Sequence, residues 1–208
     1  MTSIPLNGLP DDRVYKILSS LVVPRPIALV SSQNAEGIVN AAPYSFFNVV
    51  SEAPPLLVIG LAHNADGTVK DTTRNIRDSG EFVVNLVDED IAAAMNICAT
   101  DFPPDMSELD AAGLTTASST VVRPPRIAEA PVALECVRET ALTFGEKREI
   151  VIGRILHVHV RDGLMTEGFN VQLDAYRPVG RLFANLYGRI SDRFELARGF
   201  YKDWQGGR

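Results

Sequence analysis

Short apolar runs cut by prolines and glycines make up most of the chain, and few stretches keep the three-to-four spacing of a helix. Ile27-Ala28-Leu29-Val30-Ser31-Ser32 follows Pro24 and Pro26 and runs into the turn-rich Gln33-Asn34-Ala35-Glu36-Gly37. That pattern predicts a strand and a hairpin, with Ile38-Val39-Asn40 opening the return strand. Prolines at 43, 54 and 55 break the next segment into pieces, and residues 56–61 form a further buried strand. Residues 81–87 read as another strand. The strongest local pattern spans residues 132–160, where two long runs flank Gly145-Glu146-Lys147 and predict a long antiparallel hairpin.

Helical signals are fewer. A short helix is expected after Lys70, with Asp71 or Thr72 as its N-cap and Gly80 as its stop. Residues 90–99 place Ile91, Met95 and Cys98 on one helical face. Residues 102–126 read as a long loop, a lid or a wrapping segment, with a small helix over 106–112. Leu182, Phe183, Leu186, Ile190 and Phe194 predict that the tail, residues 181–200, ends in a helix. Strands joined by hairpins, with few long crossover helices, predict a mainly β fold: an antiparallel barrel in preference to a Rossmann sheet. No linker, repeat or low-complexity tract divides residues 1–208, so one domain is expected, with its core at 14–190.

Composition narrows the partners. A net charge of -6 argues against nucleic acid, whose phosphates need a basic surface. The N-terminal residues 1–13 carry Pro5, Gly8 and Pro10 and no apolar signal core. No apolar run approaches the roughly 20 residues that span a bilayer. Cys98 and Cys136 lie far apart with no metal spacing, which reads as reduced thiols and a cytoplasmic setting.

Two segments carry candidate chemistry. In Lys70-Asp71-Thr72-Thr73-Arg74 a cation and small hydroxyls meet a helix start, whose unpaired N–H groups and partial positive charge attract phosphate. Ordinary capping with a solvated lysine explains the same residues. In Ser45-Phe46-Phe47-Asn48, strand alternation puts Ser45 and Phe47 on one face and Phe46 and Asn48 on the other. Such a strand either meets the polar edge of a flat ligand or simply packs its aromatics in a core. His157 and His159 share a strand face but lack a third ligand, so a surface or dimer-facing pair is favoured over a metal site. No GxSxG, GxGxxG or P-loop is present.

Taken in order, Pro24-Arg25-Pro26-Ile27-Ala28-Leu29-Val30-Ser31-Ser32, Asn40-Ala41-Ala42-Pro43-Tyr44-Ser45-Phe46-Phe47-Asn48, Pro54-Pro55, Lys70-Asp71-Thr72 with Asn75-Ile76, and Glu81-Phe82-Val83-Val84-Asn85 resemble the flavin reductase-like, FMN-binding split-barrel family. Glu135-Cys136 and Ile152-Gly153-Arg154 fit the same pattern. The resemblance implies a Greek-key split barrel that forms a homodimer, with FMN near the subunit interface. It implies that Ser31, Ser32, Ser45, Phe46, Phe47 and Asn48 line the ring and ribityl chain. Ala62 would lie close by, and Lys70, Asp71 and Thr72 would hold the phosphate. NADH or NADPH would be the electron donor, and the acceptor free flavin, supplied to a monooxygenase, or another small oxidant. No catalytic side chain is assigned, because a flavin carries the redox chemistry itself. Two other readings compete: an FMN-containing electron carrier without nicotinamide activity, and a barrel that has lost its flavin and serves as a binding module.

Overall fold

The computed structural model describes residues 1–64, 66–102 and 106–200. The chain opens with helix α1 (Asp11–Leu21), followed by strands β1 (Ala28–Gln33), β2 (Val39–Tyr44), β3 (Phe47–Glu52) and β4 (Pro55–Ala62). Helix α2 (Asp71–Ser79) leads into β5 (Glu81–Leu86), α3 (Ala92–Ile97) and α4 (Glu108–Ala112). Two short strands follow, β6 (Thr116–Ala117) and β7 (Arg126–Ile127). Then comes the long hairpin of β8 (Val132–Phe144) and β9 (Arg148–Val160). The chain continues with α5 (Leu173–Tyr176), β10 (Val179–Arg181) and β11 (Tyr187–Arg189).

The main sheet is antiparallel in the order β2-β1-β5-β8-β9-β4-β3, the antiparallel architecture expected from the hairpin pattern. Its two edge strands, β2 and β3, are consecutive in the chain and joined only by Ser45 and Phe46. The sheet therefore curls back on itself, and the β3–β4 pairing runs one residue into the bend, where the Gly60 N–H donates to the Phe46 carbonyl at 2.7 Å. Inside, Val30, Leu57, Ile59, Phe82, Val84, Cys136 and Val151 form the barrel core, and Ile76 of α2 packs into it. Outside β1, Leu29 packs with Ile91, Met95, Cys98, Leu109 and Ile127 in a second layer. Alternation along β1 thus serves two cores at once, and along β5 it sends Phe82 and Val84 to the barrel core and Val83 to a small cluster with Val122 and Ala133, which is why both strands read as nearly continuous apolar runs. On β5 the buried Asn85 donates to the Leu29 carbonyl and Ser31 Oγ and accepts from the Ile127 N–H, so its burial is fully compensated.

Three expectations change and one element is new. Helix α1 is the new one; its Val14, Ile17, Leu18 and Leu21 are spaced for one face, behind Pro10. Ser45 and Phe46 sit in the bend between β2 and β3, so the simple alternation of one strand does not apply to them. The N-cap of α2 is Lys70, whose extended backbone (φ -64°, ψ 153°) presents its carbonyl to Arg74 N at 3.0 Å; Asp71 turns instead to Arg74, at 2.7 Å. Finally, the tail holds no helix among residues 181–200. Arg25 and Arg181 exchange backbone hydrogen bonds of 2.9 and 2.8 Å, and β10 pairs with β11. Pairing to strands already in place outcompetes helix formation there. Both cysteines are free and buried, and among the described residues no helix is long and apolar enough to cross a membrane.

Candidate functional site

The β2–β3 bend, the end of β4, the start of α2, the 98–102 segment, α4 and the tip of the β8–β9 hairpin surround a cleft of about 1230 Å³. Its two ends differ chemically.

At one end lies the first turn of α2. Lys70 reaches the cleft with its side chain 37% exposed and sits 3.4 Å from Asp101 Oδ1. The early N–H groups of the helix have no partner within it and add partial positive charge. Thr72 is buried, and its hydroxyl is spent: it donates to the Asn40 amide oxygen at 2.8 Å, while the Asn40 nitrogen donates to Glu108 Oε1 at 3.0 Å. Any contribution of Thr72 to an anion is therefore its backbone N–H. Burial, with a smaller effect of Asp71, pushes the Glu108 carboxyl above its ordinary range. Burial likewise pushes the neighbouring Tyr44 phenol up to about 12. Glu108 and Tyr44 form a polar floor beside the cationic mouth.

At the other end the Ser45-Phe46 bend presents an aromatic ring, 47% exposed, and a hydroxyl. Phe46 is fixed from behind by the Gly60 N–H and flanked by Tyr15 of α1, ring centroids 6.0 Å apart. A Cβ on Gly60 would lie 3.1 Å from the Phe46 Cβ, so β4 approaches the bend as closely as a residue without a side chain allows. The Arg25 guanidinium lies 5.9 Å from the Phe46 ring centroid.

Of the residues expected from sequence, Ser45, Phe46, Ala62, Lys70, Asp71 and Thr72 line this cleft. The others lie elsewhere. Phe47 packs in the barrel core. Asn48 is exposed and accepts from the Val49 N–H. Ser31 is fully buried, donating to the Pro125 carbonyl at 2.6 Å. Ser32 is also fully buried and accepts from Asn75 Nδ2 at 3.1 Å. Sequence reading missed Tyr15, Asn40, Glu108, Phe144 and Arg148, which also line the cleft. The periodicity of α1 was a usable signal for Tyr15; nothing local marks the others, which arrive by long-range pairing. His159 belongs to a different feature, standing 2.5 Å from the buried Glu135 carboxylate, with the His157 ring beside it.

The sequence pattern of the flavin reductase like domain matches residues 19–180, and the chain belongs to that family. A protein of Halalkalibacterium halodurans is 43% identical over 189 residues, covering 88% of this chain and 90% of its own. Among solved structures, 2-nitrobenzoate 2-nitroreductase NbaA of Pseudomonas fluorescens is 41% identical with a TM-score of 0.88, covering 96% of this chain and 98% of its own. Nitrilotriacetate monooxygenase component B of Bacillus cereus is 37% identical with a TM-score of 0.89, covering 94% and 98%. The fold is accordingly the split barrel of flavin reductases.

Proposed function

We propose that the cleft binds FMN and that the protein is an NAD(P)H-dependent flavin reductase, passing electrons to free flavin or another small acceptor. The observation that carries this reading is the joining, in one cavity, of a cationic helix start at Lys70 and an aromatic, hydroxyl-bearing bend at Ser45-Phe46. The donor set suits the group: a lysine and helix N–H groups for a phosphate, and a hydroxyl with an aromatic face for a flat ring with polar edges. When bound, the flavin supplies the redox chemistry by accepting a hydride equivalent from the nicotinamide and handing electrons on. The chain's own share is to bind and orient. Lys70 and the α2 N–H groups hold the phosphate, Ser45 donates to the ring, and Phe46 and Tyr15 shield one side from water.

The names of the relatives suggest two acceptors, a nitroaromatic acid and the flavin used by a monooxygenase. A homodimer is part of the same proposal, since Val158 of β9 and Val49 and Val50 of the edge strand β3 are half-exposed in one chain. The test is direct. Purified protein titrated with FMN should quench its fluorescence at one flavin per chain, and anaerobic NADH or NADPH should bleach the bound flavin. Steady-state turnover with free FMN and with 2-nitrobenzoate then separates the acceptors. No binding of FMN overturns the flavin reading. Binding without bleaching leaves an electron carrier and overturns the reductase.

A further inference from the structure

Three carboxylates are buried among the described residues, and each has a basic partner: Asp88 with Arg161, Glu135 with His159, and Glu149 with Arg77. Arg25 is the only buried cation among them, at 6% exposure, and it bonds no carboxylate. Its guanidinium instead gathers neutral oxygens. Nη1 donates to the Ser19 and Val22 carbonyls at the end of α1, at 2.5 and 2.7 Å. Nη2 donates to the Leu182 carbonyl at 2.7 Å. Nε donates to Ser45 Oγ at 3.3 Å. Burial lowers its pKa, Tyr15 opposes this and Arg181 adds to it, but a guanidinium stays charged at any ordinary pH.

This charge sits directly behind the ring end of the cleft. Arg25 itself does not line the cavity; Ser45 does. A serine hydroxyl has one proton and can accept twice. Here its oxygen already accepts from a cation, and among the described residues nothing accepts its proton. The O–H is thus left to donate into the cleft, strengthened by the charge on its other side. Low local polarity makes an uncompensated charge felt farther than it would be in water.

We propose that Arg25 is a positioning residue that fixes Ser45 as a donor to the flavin ring and biases the site toward the reduced flavin. The inference rests on the FMN reading above. Its physical basis is charge: a ring that takes up two electrons and one proton gains one negative charge, and a buried positive charge behind its hydrogen-bond donor stabilises that form over the neutral oxidised one.

The experiment measures the midpoint potential of FMN bound to the wild type and to Arg25→Gln, Arg25→Lys and Ser45→Ala, with oxidised-FMN affinity and thermal unfolding alongside. Arg25→Gln should weaken binding of reduced relative to oxidised FMN about tenfold, which lowers the two-electron potential by about 30 mV. Arg25→Lys keeps the charge but not the Nε bond, so it should shift less. Arg25→Lys should also be non-additive with Ser45→Ala, because the two residues act through one contact. A folded, flavin-bound Arg25→Gln with the wild-type potential overturns the proposal. So does strict additivity of Arg25→Lys and Ser45→Ala, the pair that decides if Arg25→Gln does not fold. If the wild type binds no FMN, the flavin reading fails first and this inference with it, a result distinct from unchanged potentials in flavin-loaded variants.

Discussion

Lys70 Nζ stands 3.4 Å from Asp101 Oδ1 across the mouth of the cleft, so the cation best placed for a phosphate already holds a carboxylate. Asp101 is 90% exposed, and pairs of this kind contribute only about 0–1 kcal/mol. A phosphate therefore displaces Asp101 at small cost.

Lys70→Ala is expected to weaken FMN far more than riboflavin, which lacks the phosphate. A charge-assisted contact is worth about 1.5–3 kcal/mol, or roughly ten- to a hundredfold in affinity. Asp101→Asn should tighten FMN slightly, by removing the competitor, and leave riboflavin unchanged. Fluorescence titration with both ligands checks each variant; equal losses for FMN and riboflavin in Lys70→Ala would place the phosphate elsewhere.

Gly153 on β9 faces the barrel interior, where a Cβ would come within 2.5 Å of the Phe82 ring and 3.2 Å of Leu57 Cδ1. Both neighbours are fully buried. Gly153→Ala should destabilise the fold by about 1–3 kcal/mol through overpacking, with an unchanged denaturant slope. Combining it with Phe82→Leu should recover part of the loss. Urea unfolding of the single and double variants decides, and a Gly153→Ala protein as stable as wild type would show that the barrel gives more easily than its packing suggests.

Glu135 supplies a pH test. Burial pushes its carboxyl up, but N–H groups of Thr120, Val121 and Val122 and the His159 ring more than offset this, so it titrates below the ordinary range. A depressed native pKa means the contribution is fully present above the unfolded value, about 4.3, and is lost as pH falls through the native one. Glu135→Gln places an amide group where only acceptors fit and should cost about 1–3 kcal/mol at pH 7. The gap between wild type and variant should shrink as the pH is lowered from 5 toward 3. A gap that stays constant in urea unfolding over that range would mean Glu135 is not the group responsible.

These residues also show what the sequence could reveal. The β8–β9 hairpin was legible because its pairing is local: a turn at Gly145 joins runs that must lie side by side. Helix α2 and its αL stop at Gly80 were legible for the same reason. Lys70 and Asp71 line the cleft from the local start of α2, so they could be named from sequence as cleft residues. Ser31 and Ser32 misled because a serine at the end of an apolar strand looks the same whether it meets a ligand or a distant carbonyl. Pro125, the partner that decides it for Ser31, lies 94 residues away. The tail misled because its apolar spacing suits a helix, while its backbone is claimed by Arg25, a residue near the other end of the chain. Local signals predict local structure; Glu108 of α4 and Arg148 at the start of β9 line the cleft through packing between elements far apart in the chain.

The last prediction concerns assembly. Val158 pairs in register with Leu134, a barrel-core residue, and so faces the inner side of the sheet, yet it is 50% exposed. On the edge strand β3, Val49 and Val50 are 53% and 56% exposed. An inner sheet face and an apolar edge left open are surfaces that a second copy of the chain would cover. Sedimentation should therefore give a two-fold homodimer, and Val158→Asp should dissociate it by burying a charge in the interface. If the cleft needs the partner, FMN affinity should fall on dissociation and track dilution of the wild type through the dimer's Kd. A folded Val158→Asp monomer that binds FMN as tightly as the dimer would assign the whole site to one barrel and remove the partner from it.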